Sequence, residues 1–191
     1  LSLIGLGGWL FKNRGWLPIP IFLVQLIVGG GVEWGGNTRV WFGLALVVAG
    51  ELFRVWAVGY IGNRSRTLGS DVTGLETRGP YRLSRNPLYI ANIVLWAGVG
   101  LVTGWLWLVI WLVLLVPYYN LIVRFEESNL ITMGESYRDY SELVGRWFPR
   151  GNDLSVLKTS WSSPWSLTAA LRSERTTLCA IIAIIGALFF I

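Results

Sequence analysis

Between Arg85 and Arg124 the chain carries no charged side chain. Drawn as one helix, residues 86–123 would be about 57 Å long at 1.5 Å per residue, nearly twice the hydrocarbon thickness of a bilayer. A run this apolar belongs where water is absent, and there every backbone N–H and C=O must be satisfied within the chain, which in practice means helices or a closed barrel. Thr103-Gly104 sits near its middle, followed by Trp105 and Trp107, residues suited to a membrane–water interface. The run therefore reads as two spans, 88–103 and 105–123, joined by a tight helical hairpin.

Composition extends the same reading to the whole chain. Apolar residues make up 53% and charged residues 14%, whereas about a quarter of a water-soluble chain is charged; disorder is excluded by the same figures. Three more spans are expected, at 16–34, 40–61 and 176–191. The first has Pro18 and Pro20 in its opening turn, where a missing N–H costs little. The second contains Glu51 and Arg54, and the third is short for a span. The expected architecture is all-α: an integral membrane protein of about five transmembrane helices forming a single membrane domain over 1–191. Two inner polar segments are expected, 62–87 and 124–175. Within the second, Ser163-Pro164 looks like an N-cap followed by proline at the first helical position.

If the N-terminal side is the inner one, every one of the 16 basic residues lies there except Arg39, opposite, and Arg54, inside a span. That asymmetry satisfies the positive-inside rule. It predicts a multi-pass protein with its N-terminus and active face cytoplasmic, suited to a bacterial inner membrane. The net charge of +5 is then a juxtamembrane property directed at anionic lipid headgroups, and no basic-aromatic module of a nucleic-acid-binding kind is present. The chain has no His and one Cys, Cys179, which excludes imidazole chemistry, an internal disulfide and a cysteine-cluster metal site; no metal ligation is expected.

Four groups of residues carry chemistry. Gly79-Pro80-Tyr81-Arg82-Leu83-Ser84-Arg85-Asn86-Pro87-Leu88-Tyr89 delivers the chain into the third span. It reads equally as a turn with a headgroup anchor and as a helix N-terminus able to bind a carboxylate or phosphate. Gly98-Val99-Gly100 reads either as close helix packing or as backbone against which a cofactor presses. Glu126 and Glu127 close the fourth span, where a helix end prefers cations, so they ask for a cationic partner: a neighbouring arginine, or a ligand's ammonium or sulfonium. Beyond them come Gly134-Glu135-Ser136-Tyr137-Arg138-Asp139-Tyr140 and Val144-Gly145-Arg146-Trp147-Phe148-Pro149. Finally, Glu51 and Arg54 lie at i and i+3 on one helix face, and ionisable groups inside a membrane mark either a functional site or an internal pair.

In this order the groups resemble the isoprenylcysteine carboxyl methyltransferases and phospholipid methyltransferases. The motifs are Gly-Pro-Tyr-x-x-x-Arg-Asn-Pro-x-Tyr, a Gly-x-Gly in the next span, Glu-Glu, Gly-Glu-x-Tyr-x-x-Tyr and Val-x-Arg-x-x-Pro. The resemblance covers about residues 50–150 and includes Arg54-Val55-Trp56-Ala57. It departs at Asn86, where the best-known members carry His. It implies S-adenosylmethionine as cofactor, S-adenosylhomocysteine as product, and a cofactor site on the inner face. Tyr81, Arg85, Asn86, Pro87 and Tyr89 would line that site, Gly98 and Gly100 would admit the cofactor, and Glu126 and Glu127 would hold its ammonium or ribose. Glu127 and Arg146 would be catalytic. Glu51, Arg54, Tyr137, Tyr140 and Arg146 would bind a lipid or isoprenoid-like acceptor. The reaction would be in-line methyl transfer to a carboxylate oxygen or an amine nitrogen, driven by positioning and exclusion of water. Two other readings are a sterol-reductase-like enzyme using NADPH, whose members carry a comparable Arg-His-Pro-x-Tyr turn, and a non-catalytic membrane partner.

Overall fold

The computed structural model describes residues 3–29, 31, 32, 34–61, 76–131, 134–150 and 165–189. Among these there are seven α-helices and no strand. They are α1 (Leu3–Lys12), α2 (Pro18–Val28), α3 (Thr38–Ile61), α4 (Pro87–Thr103), α5 (Trp105–Leu130), α6 (Glu135–Leu143) and α7 (Leu167–Phe189), with a 3-10 turn at Gly79–Arg82 between α3 and α4.

The hairpin lies where the uncharged run suggests. α4 ends at Thr103, α5 starts at Trp105, and Gly104 is the single extended residue between them. Its two arms run antiparallel and are pinned by aromatic contacts: Trp96 stacks on Trp111 with ring centroids 4.3 Å apart, and Tyr89 meets Tyr119 at 5.0 Å. α3 packs along the opposite side of α4 in the most extensive helix–helix contact of the molecule. Small residues set their separation. A Cβ on Gly98 would lie 2.6 Å from the Gly43 carbonyl oxygen, and one on Gly50 would lie 2.8 Å from the Leu95 nitrogen. At the hairpin end, Arg39 donates from Nη1 to the carbonyls of Leu101 (2.8 Å) and Val102 (3.0 Å), a cation on the negative end of the α4 dipole. Under the same end, Gln25 of α2 is fully buried. It donates to Val99 O (3.1 Å) and Thr103 Oγ1 (2.7 Å) and accepts from Trp111 Nε1 (2.6 Å).

Two helices, α3 with 24 residues and α5 with 26, are long and apolar enough to cross a membrane. Several expected bounds are corrected. In place of a span over 16–34, α2 has 11 residues, about 16 Å; it starts at Pro18 and stops at its C-cap Gly29, at the head of a run of three glycines. α5 does not end at 123 but carries Arg124, Glu126 and Glu127 as helical residues to Leu130. α1 was not expected; it packs on α5 through Gly7 and Gly8, whose missing side chains leave room for Leu121 and Phe125.

The last helix starts ahead of 176 and runs unbroken from Leu167 through Arg172, Glu174 and Arg175. Ser166, whose hydroxyl accepts from Ala169 N at 3.2 Å, stands at its start; Ser163 and Pro164 lie outside the described residues. α7 lies antiparallel to α3. Trp165 Nε1 donates to Trp56 O (3.1 Å) and Ser166 N to Gly59 O (3.1 Å) near the end of α3, while Phe189 meets Trp34 at 4.6 Å ahead of its start. α7 thus matches α3 in height.

Candidate functional site

Away from Gly104, the end of α3, the start of α4, the end of α5 and the start of α7 gather at one end of the bundle. The turn into α4 is built first. Gly79, at φ +55, lies so close to the Tyr60 ring that a Cβ would be 2.1 Å from it, a backbone state and a clearance that only glycine provides. The turn that follows buries Pro80 and Tyr81. Ser84 accepts from Asn86 N (3.0 Å) and donates to Arg146 O (2.9 Å). Asn86 Nδ2 donates to the same carbonyl (3.1 Å), and Arg85 N donates to Gly145 O (3.0 Å). Residues 84–86 and 144–146, far apart in sequence, are thereby locked together. Pro87 is the buried first residue of α4.

This lock places Arg85 and Arg146 on either side of Glu127. Arg85 Nη2 is 3.2 Å from Glu127 Oε1, and Arg146 Nη2 hydrogen-bonds Glu127 Oε2. Arg85 Nη1 also donates to the Tyr137 hydroxyl at 3.0 Å, which ties α6 to the cluster, and Tyr140 donates to Tyr81 O at 2.6 Å. Two guanidiniums and one carboxylate leave one positive charge. The cluster opens on the Arg146 side: that side chain is 37% exposed, against 12% for Arg85 and 11% for Glu127. Burial pushes the Tyr81, Tyr137 and Tyr140 hydroxyls upward; nearby Glu127 adds to the rise at Tyr137, and Arg85 opposes it at Tyr137 and Tyr140. All three remain protonated donors at neutral pH. The hydrogen bond to Glu127 holds Arg146 above its ordinary value.

Glu126, one residue earlier on α5, faces elsewhere, because consecutive helical residues diverge by about 100°. It lies beside Tyr89 and sits within the electrostatic reach of Arg14. Tyr89 packs on Tyr119, and Asn92 follows Tyr89 by one turn of α4.

Asn92 leads to the second polar group, deeper between helices. Arg54 Nη1 donates to Asn92 Oδ1, and Arg54 Nη2 and Nε reach Glu174 Oε2 at 2.8 and 3.2 Å. Its i−3 neighbour Glu51 is 3.6 Å from Nε. Tyr81 feels both Arg54 and Glu126, so the two polar groups adjoin. Glu174, 1% exposed, and Asn92 are the members that motif reading missed. The available signal for Glu174 was a lone acidic residue between Arg172 and Arg175, ahead of an apolar run.

Gly98 and Gly100 are not beside these groups. Gly98 faces Gly43 and Val47 on α3, and a Cβ on Gly100 would lie 2.7 Å from Trp111 Cδ1 and 2.8 Å from the Trp107 carbonyl. The space left by their missing side chains is filled by helices, which supports the close-packing reading of Gly98-Val99-Gly100. A depression of roughly 240 Å³ lined by Ile131, Gly134, Tyr137, Arg138 and Ser141 shares only Tyr137 with the cluster.

Comparison with known proteins agrees with the motif order. A family model described as phospholipid methyltransferase matches residues 38–138, from the start of α3 into α6. The nickel-cobalt-cadmium resistance protein NccN of Alcaligenes xylosoxydans xylosoxydans is 30% identical over 140 residues, covering 69% of this chain and 61% of that protein. The cobalt-zinc-cadmium resistance protein CzcN of Cupriavidus metallidurans is 27% identical over 143 residues, covering 71% of this chain and 62% of that protein. The chain thus spans less than two thirds of the length of either relative. No solved structure matches.

Proposed function

Because the chain belongs to the phospholipid methyltransferase family, we propose that it transfers a methyl group from S-adenosylmethionine to a lipophilic acceptor held in the membrane, with S-adenosylhomocysteine as product. The observation that carries this reading is the convergence of Arg85, Glu127, Arg146, Tyr81, Tyr137 and Tyr140 from four separate stretches of chain at one end of the bundle. A packed structural network would satisfy its own polar atoms. Here Tyr81 Oη, Arg85 Nε and Arg146 Nε are buried without a hydrogen-bond partner among the described residues, so donors remain for a polar ligand and the residues fit the cofactor.

The bound cofactor would supply a methyl group made electrophilic by the sulfonium that carries it. The chain's own residues divide the remaining tasks. Glu127 is already paired with two guanidiniums, so its part is to hold Arg85 and Arg146 in place, and the surplus positive charge of the three suits the cofactor's carboxylate. Glu126, with the faces of Tyr89 and Tyr119 beside it, is the better partner for the ammonium and sulfonium. Asn86 acts through the Arg146 carbonyl, which it anchors, and Pro87 through the helix start it fixes. On the acceptor side, Glu51 and Arg54 lie where a lipid group entering between helices would meet them. Glu51 is the base available to take a proton from an N–H or O–H nucleophile.

The chain is a membrane protein, and in the proposed topology α3, α4, α5 and α7 cross the bilayer with the site on the cytoplasmic face of a bacterial inner membrane. The distribution of basic residues supports this orientation. The relatives' names associate them with nickel, cobalt, zinc and cadmium resistance. This chain, with no His and one Cys, lacks the nitrogen and sulfur donors those metals prefer, so a part in metal resistance would run through a methylated product rather than through coordination.

The test is calorimetric titration of the detergent-solubilised protein with S-adenosylhomocysteine. Binding is expected in the wild type and should weaken at least about tenfold in Glu127→Ala, the loss of a charged partner that fixes two arginines. A wild-type protein that binds no S-adenosylhomocysteine would refute the reading. Labelled methyl transfer into a total lipid extract then identifies the acceptor.

A further inference from the structure

Glu51 is a carboxylate with an unusual lack of company. Its side chain is 9% exposed, yet neither oxygen has a hydrogen-bond partner among the described residues. A buried carboxylate left this way is costly, more so between helices in a membrane. The remedy is within reach: Arg54, one turn along the same face, has its Nε 3.6 Å away. The guanidinium is turned elsewhere. Nη2 and Nε both reach Glu174 Oε2, at 2.8 and 3.2 Å, and Nη1 donates to Asn92. α7, which lies outside the matched region 38–138, therefore takes the hydrogen bonds of the guanidinium and leaves Glu51 with an ion pair at 3.6 Å. Two carboxylates share one guanidinium, and the group is left with one negative charge.

We propose that Glu174 is a positioning residue of the acceptor site: by drawing the Arg54 guanidinium onto α7, it leaves both oxygens of Glu51 open to an N–H or O–H group on the methyl acceptor. The inference rests on the methyltransferase reading and adds to it the chemistry of the acceptor's head. A group of net negative charge repels a lipophilic carboxylate and attracts an amine or a hydroxyl. The site is in the right neighbourhood, since Asn92 lies one turn of α4 from Tyr89, Tyr89 packs on Tyr119, and Tyr81 lies within electrostatic reach of both Arg54 and Glu126. The charges acting on Glu51 are Arg54 on its own helix and Glu174 on α7. α4 carries no charged residue, and the 3-10 turn packed on α3 contributes Tyr81 and Arg82.

The full chain in nanodiscs, loaded with S-adenosylhomocysteine, is titrated with two twelve-carbon probes, dodecylamine and dodecanoate. Saturable binding of dodecylamine alone is expected. Glu51→Gln should reduce it to a weak residue, and Glu174→Gln should weaken it by about tenfold, as expected when one charged hydrogen-bonding partner is lost, with Glu174→Asp intermediate. S-adenosylhomocysteine affinity should stay within about twofold in each variant, because Glu51 and Glu174 pair with Arg54 and neither pairs with Arg85 or Arg146. Weak residual binding read at high probe concentration should show Glu174→Gln adding nothing in the Glu51→Gln background, since Glu174 acts through Glu51.

Four results would overturn the inference: a wild type that binds S-adenosylhomocysteine but not dodecylamine, one that binds dodecanoate equally well, a Glu174→Gln variant with wild-type affinity, or equal weakening by Glu174→Gln with and without Glu51. If Glu174→Gln does not fold, Glu174→Asp in both backgrounds carries the same comparison. Failure of the wild type to bind S-adenosylhomocysteine counts against the methyltransferase reading instead.

Discussion

Glu126 and Glu127 are neighbours in sequence and look interchangeable there, yet they serve different surroundings. Glu127 is clamped by Arg85 and Arg146, and Glu126 lies beside Tyr89. Residue order made both legible as members of one site, because carboxylates at the end of an apolar helix call for cations. Which cation each receives depends on rotation about α5 and on a lock between residues 84–86 and 144–146 that no local pattern announces. Asn86 is the clearest instance. It looks like a ligand contact, but its amide is engaged by the Arg146 carbonyl. Gln25 passed unnoticed within an apolar run, and it joins α2, α4 and α5 through three hydrogen bonds. Replacing it with Leu should lower stability by about 1–3 kcal/mol, the cost of leaving the buried Trp111 N–H and its neighbours unpaired. A reduced melting temperature in detergent with unchanged S-adenosylhomocysteine affinity is the expected outcome, and an unchanged melting temperature would count against the network's structural weight.

At the scale of elements, helices flanked by clear punctuation were read well. α4 and α5 follow from Pro87, Gly104 and the absence of charge. α2 was overestimated because apolar character continues past the glycines at which the helix stops, and hydropathy does not register a helix end. α1 was missed because a ten-residue helix is below the length of a span, and its reason to exist is the surface of α5. The glycines of α4 show how one pattern supports two readings: Gly-x-Gly is compatible with a cofactor or with close packing, and only the neighbours decide. Gly98→Leu should therefore disrupt the α3–α4 contact, giving a protein that elutes heterogeneously on size-exclusion chromatography and loses S-adenosylhomocysteine binding in proportion to its folded fraction. A well-folded variant with selectively lost binding would return Gly98 to the cofactor.

For the whole molecule, the distribution of charge was the legible property. Among the described residues, the basic side chains collect toward the end that bears Arg85 and Arg146, while Arg39 alone caps the hairpin end. A reporter fused at Gly104 should consequently appear on the opposite side of the membrane from one fused after Arg150, and the same side for both would refute the crossing of α5. What charge and hydropathy did not convey is that the site extends beyond the matched core. Arg14, ahead of α2, acts on Glu126, and Glu174 in α7 holds Arg54; both depend on contacts between segments more than a hundred residues apart in sequence.

The position of Glu174 has a consequence for biogenesis. Arg54 precedes Glu174 by 120 residues in the chain, so its helix is made long before α7 can draw the guanidinium away from Glu51. During that interval Arg54 and Glu51, one turn apart on α3, form a neutral pair. Docking of α7 would then be the event that turns the guanidinium toward Glu174, and in the proposed reading Glu51 is opened to an acceptor only from that point on.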